Sequence, residues 1–445
     1  MQYEYLFLTP KTLEIEHQQL VDEGRVISEA VEDAFVELIR PGLEVDPSYQ
    51  ARAQALLDQC ATLEMREAYP YCEPSDLEGI RAERPEGSRE YGRLDDATLR
   101  DRLHAAWLGR CAGCLLGKPV EGWRSTTMWP YLKDLGKYPL RDYFRSDAPQ
   151  EIVERHKVSR ERAYIDRVHH MVEDDDTNYT VTALAIFDKH GQNFTPEHVA
   201  TFWLDNLPIL HTFTAERIAY RNLINLVPPP NSASYRNPYR EWIGAQIRAD
   251  FWGYVAVGNP QLAAAYAWRD ASISHVKNGI YGEMWVAAML ATAPFVADAR
   301  AVIEAGLAEI PANSRLAENI HKVIVWYEQG IEYEEAVRLI HAQWDEKLAH
   351  HWCHTISNAM IVAVGLLWGE GDYELSICRA VQACFDTDCN GATVGSVFGM
   401  LHGTSALSEK WIGPLSDGLE TGISGYHFVK ISEMARKTWE LALGK

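Results

Sequence analysis

Residues 173–177 read Glu-Asp-Asp-Asp-Thr, and residues 386–391, much later in the chain, read Asp-Thr-Asp-Cys-Asn-Gly. An apolar run with helical spacing follows each segment, which predicts that both lie at helix N-termini. A single Asp-Asp-Thr is usually only a helix cap, because free N–H groups and the helix dipole attract carboxylates there. Two such segments favour another interpretation, since adjacent carboxylates repel unless a cation lies between them. Asp and Thr oxygens suit hard cations, so the sequence predicts a shared site for two Mg²⁺ or Mn²⁺ ions.

Composition narrows the class of protein. The chain has 445 residues, 47% of them hydrophobic, and a formal net charge of −21. This charge argues against a nucleic-acid partner, which would need a basic surface. The sequence shows neither a signal-peptide pattern nor an apolar run of about 18 residues, which predicts a cytoplasmic protein without a membrane span. The Cys111–Cys114 pair lies in an apolar helical run, and we interpret it as a packed helix face rather than a zinc or redox site.

Two regions are expected along the chain. Residues 1–96 are predicted to form an N-terminal helical extension and linker, and residues 97–445 a catalytic domain. Within the extension, helices are predicted over Gln18–Ile39 and Pro47–Leu63, and the segment Tyr69–Gly92, rich in Pro and Gly, is predicted to be a linker. The extension is interpreted as a packing element, with a lid or an oligomer contact as the alternative.

Beyond Asp95 the apolar spacing is helical and strand-like alternation is nearly absent, which predicts an all-α fold. The first helix of this region carries Gly109, Gly113 and Gly117, and glycines four apart allow a second helix to pack closely. Pro119 should end the helix, which leaves Glu121 on the following loop. Other predicted helices begin at Pro196 and span 260–269, 279–294, 298–308, 312–328, 334–349, 355–368 and 373–383. Residues 124–170 are predicted to be loop with short helices, and residues 228–234 a plain loop.

Together these motifs resemble the ADP-ribosylglycohydrolase family over roughly residues 98–435. The resemblance rests on Gly109–Glu121, on Asp175-Asp176-Thr177, and on Asp386-Thr387-Asp388 followed by Gly391 and Gly395. It implies an all-α, orthogonal multi-helix bundle that carries two Mg²⁺ or Mn²⁺ ions in a central cleft. The metal ligands that it implies are Asp174, Asp175, Asp176, Asp386, Asp388 and Cys389.

Two of these positions depart from the family pattern. Asp174 stands where the family usually has Thr or Ser, and Cys389 stands where it usually has Thr. Asp174 can still bind a hard cation, whereas a sulfur ligand suits Mg²⁺ poorly. The second ion is therefore less certain than the first.

The activity implied by the resemblance is hydrolysis of an N- or O-glycosidic bond at ribose C1, in an ADP-ribosyl conjugate, free or on a protein, or in a smaller ribosyl compound. Such a reaction develops oxocarbenium character and needs a positioned water. Glu121 is expected to act as acid/base or orienting group, with Asp175 and Asp176 sharing that work. Substrate contacts are expected from Gln246, Arg248, His275, His354 and Asn390. A homo-oligomer is left open.

Two other functions remain open from the sequence. A di-metal phosphoesterase would need basic phosphate contacts, and Lys118, Arg248 and Lys277 are the candidates. A non-catalytic relative is the other alternative: the retained carboxylates argue against it and Cys389 argues for it. The aromatic residues Trp252, Tyr281 and Trp285 could stack a base, although a core position is the preferred interpretation.

Overall fold

The computed structural model describes residues 6–444 except 41, 43–45, 47, 88 and 90. The expected all-α class is confirmed, since this part of the chain contains 23 α-helices and one small sheet. The sheet is a two-stranded antiparallel pair of β1 (Gly418–Glu420) and β2 (Phe428–Lys430), with Leu419 opposite Val429. None of the described helices is both long and apolar enough to cross a membrane.

The described part of the extension contains four α-helices. They are α1 (Pro10–Asp22), α2 (Glu29–Leu38), α3 (Tyr49–Cys60) and α4 (Leu77–Glu83). The prediction of one helix over Gln18–Ile39 is wrong: Thr9 and Pro10 start α1 earlier, and Gly24, at φ +72°, ends the run. The segment predicted as a linker contains α4, which Asp76 caps by accepting a hydrogen bond from the Gly79 N–H.

The extension has a small core of its own and is fastened to the rest of the chain by buried ion pairs. Its core comprises Leu8, Leu13, Leu20, Val31, Phe35, Leu38, Tyr49, Ala53, Leu56, Leu57 and Cys60. Arg240 contacts Glu16 at 2.7 Å and Glu23 at 2.8 Å, both on the extension side. Arg315 bridges Glu73 of the extension, at 2.8 Å, and Glu241, at 2.7 Å. These contacts support the interpretation of the extension as a packing element.

The remainder of the chain forms the main helical body. Its longer helices are α5 (Asp96–Gly117), α6 (Ser125–Asp134), α7 (Gln150–His156), α8 (Asp175–His190), α9 (Pro196–Asn206), α10 (Thr214–Ile224), α11 (Asn231–Ser234), α12 (Asp250–Val255), α13 (Pro260–Ala271), α14 (Asn278–Thr292), α15 (Ala299–Leu307), α16 (Arg315–Glu328), α17 (Tyr333–Gln343), α18 (Ala349–Cys353), α19 (Thr355–Leu367), α20 (Tyr373–Gln382), α21 (Thr387–His402), α22 (Glu409–Ile412) and α23 (Ile431–Ala442). Short 3₁₀ turns lie at Lys118–Val120, Gly191–Asn193, Ile209–His211, Gln246–Arg248, Ala293–Phe295, Thr404–Ala406 and Gly413–Leu415. The helix predicted over 334–349 corresponds to α17, which ends at Gln343, and α18 begins only at Ala349. The loop predicted over 228–234 contains the single turn α11.

Helices α5 and α21 pack backbone against backbone, as the glycine spacing predicted. A Cβ atom on Gly109 would lie 2.2 Å from the Gly395 carbonyl oxygen, and one on Gly113 would lie 2.0 Å from that of Gly391. A Cβ atom on Gly117 would lie 2.2 Å from the Thr387 carbonyl oxygen. These distances are too short for any side chain. The contact holds the end of α5 against the start of α21, where the second acidic segment begins.

Gly113→Ala is therefore expected to destabilise the fold. The added methyl group meets a carbonyl oxygen of the facing helix, which cannot rotate away, so we expect the free energy of unfolding to fall by about 2–4 kcal/mol. Chemical denaturation measures this change. Gly87→Ala is the matched control, because the atom nearest its new Cβ is the Ala308 Cβ at 3.3 Å. Equal stability of the two variants would contradict the close packing of α5 and α21.

Candidate metal centre

The N-termini of α8 and α21 and the segment that follows α5 surround a cavity of about 320 Å³. The structure thus brings together two acidic segments that lie far apart in the sequence. No described residue of the extension lines this cavity. Its lining residues are Lys118, Glu121, Glu173, Asp174, Asp175, Asn178, Leu210, His211, Phe213, Thr214, Glu216, Ile243, Gly244, Ile247, Trp352, Cys353, Asp386, Asp388 and Cys389.

Local backbone geometry positions the acidic side chains. Asp174 caps α8, and its carboxylate accepts a hydrogen bond from the Asp176 N–H at 2.9 Å. Asp386 directly precedes α21, and its own N–H donates to Asn358 Oδ1 at 3.0 Å. Glu121 follows a 3₁₀ turn after α5 and lies exposed at the rim of the cavity. Both acidic segments therefore combine a place at a helix start with exposure to one cavity.

The first acidic group consists of Asp174, Asp176 and Cys114, whose ligand atoms lie within 4.8 Å of one another. This group has its own counter-charges: Lys118 Nζ lies 2.7 Å from Asp174 Oδ2, and the buried Arg110 guanidinium lies 3.3 Å from Asp176 Oδ1. Burial alone would raise the pKa of Asp174, but the Lys118 ammonium outweighs burial and lowers it. Lys118 thus compensates the charge of Asp174. The pKa of Asp176 stays well above its usual range, because burial and the charge of Asp174 outweigh Arg110, and its Oδ2 atom is buried without a hydrogen-bond partner.

The second acidic group consists of Asp386, Asp388 and Cys389, also within 4.8 Å of one another. Among the described residues, no Lys, Arg or His side chain forms an ion pair with Asp386, Asp388 or the neighbouring Asp175. Asp388 is 3% exposed, and its Oδ1 atom is buried without a hydrogen-bond partner. A buried carboxylate without a counter-charge is unfavourable, so this group fits a divalent cation.

Burial, together with repulsion between neighbouring carboxylates, raises the pKa values of these carboxyl groups. Burial and the charges of Asp386 and Asp174 raise the pKa of Glu121 to about 7. Burial, together with Asp174, raises the pKa of Asp386 to about 6. Burial also raises the pKa of Asp388, with Glu121 and Asp174 adding to the effect, and that of Asp175, with Asp174 and Asp176 adding to it. Without a bound cation, these groups hold protons that free carboxylates would have lost.

The metal-free protein should therefore become less stable as the pH rises through the range of these raised pKa values. The pKa values of Glu121 and Asp386 rise from about 4 in an unfolded chain to about 7 and about 6 in the folded protein. Between these limits the folded state binds more protons than the unfolded state, so the free energy of unfolding falls with increasing pH. A bound divalent cation should remove this decline because it favours the ionised carboxylates.

To test this, the melting temperature is measured from pH 4.5 to pH 8, once with chelator and once with saturating divalent cation. The quantity of interest is the difference between the two melting temperatures at each pH. Asp386→Asn should flatten the chelator curve. Asp372→Asn is the control, since Asp372 caps α20 on the exposed surface. A cation effect that is the same at pH 5 and pH 8 would contradict this assignment.

None of the five expected substrate-contact residues lines the cavity. Arg248 is 1% exposed and lies within a buried ion network, where it contacts Glu216 at 3.0 Å, Asp270 and Glu283. His275 is fully buried and its Nδ1 pairs with the Ser274 hydroxyl at 2.8 Å. These two side chains therefore lie among the buried residues behind the cavity and do not form part of its surface.

The other three residues are also engaged in hydrogen bonds with buried neighbours. Gln246 Oε1 accepts a hydrogen bond from the Thr355 hydroxyl at 3.0 Å. Asn390 Nδ2 donates to Asn358 Oδ1 at 2.8 Å, the same oxygen that receives the Asp386 N–H. The His354 Nδ1 atom caps α19. The aromatic residues Trp252, Tyr281 and Trp285 are buried in the main core, in line with the preferred interpretation.

The cluster of His354, His350 and Asp22 has the spacing of a metal site but the hydrogen bonding of a structural contact. The Trp242 indole N–H donates to His350 Nδ1, and the Ile356 N–H donates to His354 Nδ1. Each neutral ring therefore carries its proton on Nε2, and His350 Nε2 donates to Asp22 at 2.9 Å. His354 Nε2 is buried without a hydrogen-bond partner and lies 3.7 Å from Glu241 Oε2, so it is the hydrogen bond between His350 and Asp22 that joins α18 to α1.

Several residues in or next to the cavity are not singled out by the sequence. The sequence predicts that Cys114 is part of a packed helix face; it does not line the cavity, but its Sγ lies within 4.8 Å of carboxylate oxygens of Asp174 and Asp176. Its position one turn before Gly117, at the end of the helix that leads to Glu121, was the available signal. Glu173 pairs with His211, and Phe213, 49% exposed, forms an apolar part of the lining with Leu210 and Trp352. No sequence pattern marks His211 or Phe213.

A family model and a solved structure are similar to this chain. The family model described as ADP-ribosylglycohydrolase matches residues 95–443, a range that contains both acidic groups. One similar solved structure, described as an "ADP-ribosylglycohydrolase-related protein complex", shares 16% identity, with a TM-score of 0.47 over 78% of this chain and 99% of that chain. No curated protein matches the chain. The match of the family model over most of the sequence shows that the chain belongs to the ADP-ribosylglycohydrolase family.

Proposed function

We propose that the protein is a divalent-cation-dependent hydrolase that cleaves an N- or O-glycosidic bond at C1 of a ribosyl unit, in an ADP-ribosyl conjugate or a smaller compound. One observation carries the proposal: Glu121, Asp175, Asp386 and Asp388 converge on one cavity without Lys, Arg or His ion-pair partners among the described residues. A fold that needed only packing would have no use for this repulsion. Family membership supports the choice of a ribosyl glycoside.

Divided roles follow from the positions of these carboxylates. Asp175, Asp386 and Asp388 would hold one cation, and Asp174 and Asp176 would hold a second after Lys118 moves away from Asp174. Such cations, Mg²⁺ or Mn²⁺ for oxygen ligands, grip sugar hydroxyls and lower the pKa of water. Glu121, at the rim of the same cavity, is placed to accept a proton from the attacking water.

The cavity has an acidic side and an apolar side. The acidic side faces a ribose through its hydroxyls, whereas Leu210, Phe213 and Trp352 offer apolar surface to the rest of the ligand. Leu210 and Phe213 are both 49% exposed, and the Arg217 guanidinium lies over the Phe213 ring, 5.3 Å from its centre. We therefore propose that the planar part of a nucleoside or a leaving group lies on this side.

A phosphoesterase fits the lining less well. Lys118 is the only Lys or Arg among the lining residues, and it is engaged with Asp174. Of the other candidates, Arg248 is buried in its own ion network and Lys277 lies 3.4 Å from Glu23 of the extension. In-line displacement at phosphorus would require free basic contacts beside the metal ions. The glycosidic reaction needs none.

A turnover screen tests the proposal. Purified full-length protein is incubated with Mg²⁺, Mn²⁺ or chelator and with ADP-ribosyl-arginine, O-acetyl-ADP-ribose or ribonucleosides, and mass spectrometry detects free ribose or ADP-ribose. We expect release that depends on the cation. A phosphodiester substrate serves as the comparison. Cation-dependent phosphodiester cleavage without glycoside cleavage would favour the phosphoesterase, and cation binding without any turnover would favour a non-catalytic relative.

A further inference from the structure

The two acidic groups differ in how their charge is compensated. Lys118 and Arg110 contact Asp174 and Asp176 in the first group, at 2.7 Å and 3.3 Å. In the described part of the chain, the second group has no such partner. Protein cations thus contact the first group and not the second, although Asp176 Oδ2 in the first group is also buried without a hydrogen-bond partner.

The second group also contains a sulfur atom in a ligand position. Cys389 Sγ lies within 4.8 Å of the ligand oxygens of Asp386 and Asp388. Cys389 is 6% exposed, on the first turn of α21. The unpartnered Asp388 Oδ1, itself buried, belongs to the same group. Two carboxylates and a thiol therefore surround one point where a buried oxygen lacks a partner.

We propose that this chain binds one cation tightly, at Asp386, Asp388 and Cys389, and that Cys389 supplies a sulfur ligand which selects a Zn²⁺-class cation over Mg²⁺. Thiolates suit Zn²⁺, Fe²⁺ and Co²⁺, whereas Mg²⁺ takes oxygen ligands almost alone. The cation itself displaces the thiol proton when it binds. This inference rests on the proposed function for the presence of a cation and adds which cation the site prefers.

Cobalt is the probe that reports sulfur ligation directly. Full-length protein is stripped with chelator, loaded with one equivalent of Co²⁺, and examined by ultraviolet absorption for a sulfur-to-cobalt charge-transfer band. We expect the band in the wild-type protein and its loss in Cys389→Ser. Titration should show that Cys389→Ser weakens Cd²⁺ binding by roughly tenfold or more. Mg²⁺ binding should change by less than about threefold, because serine keeps an oxygen donor.

Two neighbouring thiols provide matched controls. Cys114 lies in the group that Lys118 and Arg110 compensate, and Cys353 Sγ lies 3.9 Å from Asp386 Oδ2. Cys114→Ser and Cys353→Ser should both keep the band. Absence of the band in the wild-type protein, or its persistence in Cys389→Ser, would overturn the inference. Glycoside turnover with Mg²⁺ in those same samples would leave the proposed function standing, and so the two failures are distinguishable.

Discussion

Asp388→Asn should abolish cation-dependent turnover, with a fall in kcat of about 10²–10³-fold or more. Asp388 lies in the first turn of α21, is buried, and has one carboxylate oxygen without a hydrogen-bond partner. In the described structure no Lys, Arg or His neutralises it. Asn has the same shape as Asp but is neutral. The site therefore loses the charge of one ligand, whereas the first turn of α21 should be preserved.

The stability of this variant should change in the opposite direction from its activity. In the absence of a cation, the substitution removes a buried carboxyl group that must either hold a proton or repel Glu121 and Asp174, so the melting temperature should be equal to or above that of the wild-type protein. The rise in melting temperature that a cation produces in the wild-type protein should disappear, because a ligand stabilises only the state that binds it.

Thermal melts with and without cation, together with the turnover assay, check both halves of this prediction. Asp372→Asn, at the surface-exposed start of α20, should behave like the wild-type protein in each assay. Full turnover by Asp388→Asn would remove the proposed metal centre from the mechanism. A collapse of its stability in chelator would instead assign Asp388 a structural role.

Glu121→Gln should lower kcat by about 10²–10⁴-fold, the range expected for loss of a general acid/base. Glu121 lies at the cavity rim, where burial of its carboxyl and the charges of Asp386 and Asp174 raise its pKa to about 7. A proton acceptor with such a pKa is suited to neutral conditions. Gln can still accept a hydrogen bond but cannot take up a proton, so substrate binding should change little.

Isothermal titration with cation and a pH profile of kcat distinguish this role from simple positioning. Cation affinity should remain within a few-fold of the wild-type value, since Asp175, Asp386 and Asp388 are intact. The residual activity should lose the acid limb of its pH profile. Glu161→Gln, an exposed loop substitution, is the control. A variant that keeps the wild-type kcat and changes only KM would identify Glu121 as an orienting group.

The helical class and the closest helix contact could be predicted because both depend on local patterns. Apolar spacing beyond Asp95 indicated helices, and Gly109, Gly113 and Gly117 share one helix face, so their contact with a second helix followed from the absence of side chains. Errors occurred where a local signal competed with the pattern. Gly24 interrupts the helix predicted over Gln18–Ile39, and α4 forms within a segment whose Pro and Gly content indicated a linker.

For the site, the acidic segments, their positions at helix starts and the position of Glu121 beyond Pro119 could be predicted from the sequence. The way in which the charges are compensated could not be predicted and required the folded structure. Lys118 and Arg110 contact the first group, whereas the second has no ion-pair partner in the described chain. The folded structure also showed that Arg248 lies in a buried ion network and that Cys114 faces carboxylates. The physical reason is that a charge takes its role from neighbours within a few ångströms, and these neighbours come from helices distant in sequence.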